Sequence, residues 1–250
     1  MNTINDTMPD TQTKALAWHF LTEDRRLGNG DGRLVVVGET LESADQPVLC
    51  QSGMHASARA MDALIYAPGP VVCRVVLLGD VVFGNDKLVA THRSCIAMDD
   101  ASDLLHEFSC WCAESALTHW EKRNKKKADK RSWYAIKTKR QWLSGKASDE
   151  ELYSAWAAAR AAARAAAWAA ARAAVWNADR NADWAAVLAA DRAAFWAADW
   201  AAARNAVLAA ARAAVWAAAR NADRNAEIES QNKELESRLI GLLGLEGVST

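Results

Sequence analysis

Between Trp156 and Ile228, every fourth residue is Trp, Arg, Leu or Ile, and two residues after each, from Ala158 to Ala226, stands Ala. Ala has the highest helix propensity and Arg lies close behind, so this register specifies helix. Ser148 and Glu151 have the spacing of a capping box at its start, and no Gly or Pro follows until Gly241. Uninterrupted, residues 148–232 would form a rod of roughly 125 Å at ~1.5 Å per residue. Four residues turn ~400°, so the large side chains drift ~40° per step and circle the helix about twice along the repeat. A partner tracking that stripe would need a right-handed pitch near ~54 Å, against ~150 Å for two-stranded coiled coils. A simple dimeric coiled coil along the Trp stripe is therefore not expected. Two arrangements remain: one long helix, which is favoured, or a bundle folded back at Asn177–Asp183 or Asn221–Asn225, where Asn and Asp weaken the helix. Trp and Arg four apart, as in Trp168 and Arg172, support either by cation–π contact. Exposed indoles invite association, so Trp168, Trp176, Trp184, Trp196, Trp200 and Trp216 are candidate assembly contacts, against a second chain or the head. Ile228, Leu235, Leu239 and Leu242 make a short amphipathic end, read as a further assembly contact. The bland alternative for the whole repeat is a low-complexity expansion.

The rest of the 250-residue chain is long enough for one hydrophobic core. No apolar stretch approaches ~18 residues, so no membrane partner is expected. Met1–Thr13 is polar, lacks the build of a signal peptide and reads as disordered. Five cysteines, an odd number without a Cys-x-x-Cys pair, fit reduced, mostly buried thiols in a cytosol. The net charge of −1 conceals segregation: residues 1–119 are acidic, residues 120–147 carry 11 Lys/Arg against 2 acids, and the repeat is mildly basic. Such separation bears on partners rather than on fold. The organisation expected is a disordered 1–13, a head at 14–120, a basic linker at 121–147, a repeat helix at 148–240 and a tail at 241–250.

Within the head, Leu16–Leu21, Leu34–Val37, Val71–Leu78 and Leu88–His92 read as strands. Gly28–Gly32 reads as a hairpin connection between the first two. Ala58–Tyr66 has helical spacing and stops at Pro68-Gly69-Pro70. A second helix should start near Asp99 or Asp100 and bury Leu104, Leu105, Phe108, Trp111 and Cys112. The fold class is thus α+β, a small mixed-sheet domain followed by a basic linker and a long helical region.

The densest chemical signature is Cys50-Gln51-Ser52-Gly53-Met54-His55-Ala56-Ser57. A nucleophilic Cys needs a base within reach and an electropositive surrounding. In an extended strand Cys50 and His55 would face opposite sides unless Gly53 kinks the chain. The favoured reading is structural: a buried Cys, a glycine kink and a histidine hydrogen-bonded to the sheet. A metal reading of His106, Cys110, Cys112 and His119 is disfavoured, because Cys112 lies ~200° around the helix from Cys110. No catalytic residue, metal or cofactor is assigned; Cys50, Ser52, His55, Ser57 and Arg93 stand as candidate ligand-binding residues.

Trp18-x-Phe20, the Cys50-to-Ser57 signature, Gly79-Asp80-Val81, Asp86-Lys87 and Arg93 together resemble an uncharacterised domain of phage and prophage proteins. Members of that family also sometimes carry an Ala/Trp/Arg-rich tail. The resemblance covers roughly residues 15–117 and implies an accessory protein, with interference against a host defence factor as a role. A fainter one, in Gly53-x-His55-Ala56-Ser57 with the following helix and strand, is to ADP-ribosyltransferase-like enzymes. There His19 and Arg93 would be binding residues, but no acidic catalytic motif accompanies them.

The segment 120–142 mixes cations with aromatics, the composition that holds phosphates by charge and unpaired bases by stacking. Lys125, Lys126, Lys127, Lys130, Arg131, Trp133, Lys139 and Arg140 are its candidate anion or nucleic-acid contacts. The alternatives are a solvated linker and a cationic strap docked on the acidic head. The expectation as a whole is a non-enzymatic binding or assembly protein whose partner is itself or a host protein. Nucleic-acid binding through the neck and ADP-ribosyltransferase-like chemistry are the alternatives.

Overall fold

The structure, a computed structural model, describes residues 14–28, 30–173, 208, 211–212 and 221–247, apart from the side chains of 163–173 and 221–223. The chain is α+β: a five-stranded antiparallel sheet followed by helices. The strands are β1 (Ala15–Leu21), β2 (Thr40–Glu42), β3 (Met54–Ala56), β4 (Val71–Phe83) and β5 (Leu88–Asp100). The helices are α1 (Ala60–Ile65), α2 (Ser102–Asn124), α3 (Lys130–Leu143), α4 (Asp149–Ala173) and α5 (Asn221–Leu242). The order across the sheet is β1-β4-β5-β2, with β3 also pairing with β5. All these pairings are antiparallel, where a mixed sheet was expected. Crossover helices are what make strands parallel, and β4 and β5 instead join as a long hairpin.

β4 outruns its expected end at Leu78 because Gly79 and Asp80 form a bulge rather than a turn, with the register shifting between Leu78 and Val81. Gly79 has φ +79°, and a Cβ there would lie 2.2 Å from Thr91 Oγ1, so only glycine carries the strand onward. Leu34–Val37 is not a strand. It belongs to an irregular segment joined to its neighbours by the bridge Arg26–Leu34 and by Val35 N–H donating to the Arg25 carbonyl. Val35 is buried while Leu34, Val36 and Val37 are exposed, so this run lacks the two-sided burial its composition suggested.

Alternation along the strands splits the core in two. Ala17, Leu21, Cys73, Val75, Leu77, Leu88, Ala90 and Cys95 face the irregular segment, packing with Val35 and Leu27. Trp18, Phe20 and Val72 face the helices, packing with Leu64 of α1, Leu105 and Phe108 of α2, and Leu235 and Leu239 of α5. Each such large apolar side chain contributes about 1.5–3 kcal/mol through burial.

The repeat does not leave as a rod. Its start packs on α3 through Ala135, Ala155 and Ala159, where small side chains let the helices approach closely. Its end returns to the head: Leu235 and Leu239 are fully buried, and Gln231 Nε2 donates to the Ala211 carbonyl at 2.9 Å. A continuous helix would hold residues 211 and 231 about 30 Å apart, so the favoured long helix is overturned. Residues 221–225, expected as a turn-capable interruption, form the first residues of α5, and α5 runs through Gly241 to Leu242, followed by a turn at Gly244, φ +64°. The amphipathic end expected to contact another chain is instead used within the chain, by Leu235 and Leu239. Among the described residues, no helix is long and apolar enough to cross a membrane.

Candidate functional site

The loop 46–57 brings Cys50 and His55 together, as the kink at Gly53 (φ +104°) allows. A Cβ at Gly53 would lie 2.6 Å from Val89 and 3.1 Å from both Pro47 and the Ala90 carbonyl, so the close approach requires glycine. The contact is made by the Cys50 backbone, however. Cys50 N–H donates to His55 Nε2 at 3.1 Å, and His55 Nδ1 lies 3.1 Å from the Gly53 carbonyl. Because Nε2 accepts, the proton sits on Nδ1 and is donated to Gly53. Burial pushes the ring below the usual imidazole value, only partly opposed by the Gly53 bond. The histidine is therefore a neutral brace with both nitrogens occupied.

The other signature residues are similarly engaged. Ser52 Oγ donates to the Gln46 carbonyl at 2.6 Å, and Ser57 exchanges backbone hydrogen bonds with Trp18. Cys50 is exposed, not buried as expected, because φ +64° turns it out of the strand path. Its Sγ meets the Lys87 ammonium at 3.3 Å, which also sits 4.1 Å over the Tyr66 ring. Tyr66 in turn donates to Asp86. Lys87 and Tyr66 were missed as neighbours of Cys50, although Asp86-Lys87 had been noticed as a pattern. The turn of the β4–β5 hairpin carries Lys87 there, and the end of α1 carries Tyr66 against it.

Arg93 lies behind this loop, 4 % exposed, and donates to the His55 carbonyl at 2.5 Å. Burial pushes its pKa down to about 10. On the same face lie Cys73 and Cys95, and burial followed by the Arg93 charge holds His19 well below its ordinary value. His19 and Arg93 are thus brought together, but Arg93 is closed off from solvent.

The proposed metal set separates. His106 is edge-on to Trp142 and is pushed down to about 3 by burial and then by Lys139. Burial pushes the Cys110 thiol up to about 12 and raises Cys112 as well. His119 instead contacts Glu227 of α5 at 3.0 Å. Among the described residues, no group of three His, Cys, Asp or Glu side chains is placed to hold a metal ion.

The basic neck is not a linker: it forms the end of α2, a turn at Lys125 (φ +51°) and all of α3. Part of its charge docks on the acidic α2. Arg140 is clamped by Glu107 at 2.6 Å and by both oxygens of Glu114. Lys139 is wholly buried, 3.8 Å over the Trp142 ring, and burial lowers it to about 8. Lys127 pairs with Glu121, which also accepts from the Trp133 indole N–H, and Arg131 pairs with its own cap Asp129. Lys125, Lys126 and Lys130 remain exposed. Of the proposed assembly contacts, Trp168 lies in α4 with its side chain outside the described set. Trp176, Trp184, Trp196, Trp200 and Trp216 lie outside the described residues altogether.

Comparison of the chain with protein-family models, with curated proteins and with solved structures finds no match in any of the three.

Proposed function

We propose that this chain is a non-enzymatic binding and assembly protein of phage or prophage type, acting in the bacterial cytoplasm. Its α+β head carries a helical repeat that packs against a second copy or a host protein, and interference with a host defence factor is the role its phage-like signature implies. The observation that carries the non-enzymatic reading is the state of His55. Both ring nitrogens are taken by backbone groups, so the residue best placed to activate Cys50 has no free lone pair to do so. Burial of Arg93 argues likewise against an open nicotinamide pocket on that face.

Assembly rests on the Trp residues of the repeat, whose indoles would need cover from another surface. Light scattering of the full chain across a concentration series tests this, with Trp184→Ala/Trp196→Ala/Trp200→Ala as the comparison. The proposal expects an oligomer for the natural sequence and a shift toward monomer for the variant. A monomer at every concentration, or turnover of NAD abolished by His55→Ala, contradicts it.

A further inference from the structure

We propose that the cleft between α2 and α3 binds single-stranded nucleic acid. The cleft holds about 480 Å³ and is lined by Glu114 of α2 with Trp133, Lys137, Arg140 and Gln141 of α3, continuing to Ser144 and Lys146. Its charge is arranged in two tiers. At the floor, Arg140 is neutralised by Glu107 and Glu114, so a bare phosphate finds little net attraction there. At the rim, Lys137 and Lys146 are exposed, and among the described residues neither has an acidic partner. Lys130 extends this edge, because seven residues bring it back to the Lys137 face of α3, roughly 10 Å away.

That order, exposed cations outside and the half-buried Trp133 and Gln141 inside, fits a strand whose phosphates follow the rim while a base enters. Trp133 is half-buried and its indole N–H is held by Glu121, so the ring is fixed before any ligand arrives. Stacking on such a ring tolerates any base, since every base has a π face. The Gln141 amide donates and accepts, and the Ser144 hydroxyl, which donates to the Gln141 backbone carbonyl at 2.9 Å, can still accept; both suit base edges and add nothing for a lipid headgroup or an acidic peptide. In a duplex the base faces are already stacked, which favours a single strand. The docking of Arg140 and Lys139 therefore sharpens the neck's role: Arg140 is neutralised within the cleft and Lys139 is buried, so Lys137, Gln141 and Lys146 replace them as contacts.

Fluorescence anisotropy of a labelled oligothymidine of about 12 nucleotides, titrated with the full chain at several salt concentrations, tests the site. Binding should weaken as salt rises, and Lys137→Glu/Lys146→Glu should flatten the log–log salt slope by about 1.4, at ~0.7 per phosphate contact. Trp133→Leu should weaken binding roughly 5- to 150-fold through lost stacking, with Trp133→Phe recovering most of it. Lys14→Glu/Lys233→Glu, which makes the same charge change at exposed positions outside the cleft, should bind as the natural chain does. The proposal fails if the oligonucleotide does not bind at low salt, or if both double variants weaken it equally. It fails equally if a duplex binds as tightly, or if polyglutamate or anionic vesicles displace the strand at matched charge.

Discussion

At the residue scale, the chemistry of the head turns on which atoms are already occupied. His55 has both nitrogens committed to backbone groups, while Cys50 Sγ lies exposed beside the Lys87 ammonium. The other four cysteines are buried. Native chain treated with an aromatic disulfide reagent should therefore release one equivalent of thiol quickly and five after denaturation. Cys50→Ser should abolish the fast phase, and its persistence would contradict the exposure assigned here. His106 gives a second test. Its folded pKa of about 3 lies below the ordinary 6.5, so between those values the unfolded chain binds a proton that the folded chain refuses. Stability should consequently fall as pH drops from 6.5 toward 3, and His106→Gln should make that decline shallower. A His106 ring that titrates near 6.5 by NMR would overturn the assignment.

At the element scale, α1 shows how far apart cooperating residues can lie. Its N-cap, Arg59, has no capping side chain, and the first amides are served by α5 instead: Ala60 N–H donates to Glu236 Oε1 at 3.1 Å and Met61 N–H to Asn232 Oδ1 at 3.2 Å. Arg59 adds an ion pair to Glu229 at 3.2 Å. Asn232→Ala and Glu236→Ala should each lower head stability by about 1 kcal/mol, the usual worth of a cap. Chemical denaturation checks this, and unchanged midpoints in both variants would refute the capping role.

No reading of a single strand of sequence could find those caps, because their partners are more than 170 residues apart. The helices and strands with strong local signals were legible: α1, β1, the starts of β4 and β5, and the capping box, in which Ser148 N–H meets Glu151 and Glu151 N–H meets Ser148. The cation–π spacing was legible too, and Arg160 lies 5.0 Å over Trp156. α3 was hidden because its charged residues read as a solvated run. Burying Lys139 and clamping Arg140 depend on α2, a contact that local periodicity does not encode. In the candidate site, the signature loop was visible in the sequence. The Lys87–Tyr66 neighbours of Cys50 were not, because they come from the β4–β5 turn and the end of α1, which meet only in the folded chain.

At the scale of the whole molecule, the described end of the helical region is part of the head's architecture. α5 seals the helix-facing core with Leu235 and Leu239. It also buries Glu227, which accepts from Ser115 at 2.9 Å and contacts His119 of α2 at 3.0 Å. Those hydrogen bonds hold the Glu227 carboxyl below its ordinary value although burial alone would raise it. A fastening of this kind closes the end of the helical region onto the head. Closure can be measured directly in a Cys50→Ser background carrying Ser115→Cys and Glu227→Cys, treated with a short bis-maleimide and separated by denaturing electrophoresis. The account predicts rapid cross-linking at the mass of a single chain, independent of protein concentration. Absence of cross-linking, or cross-links found only between chains, would contradict the closed repeat.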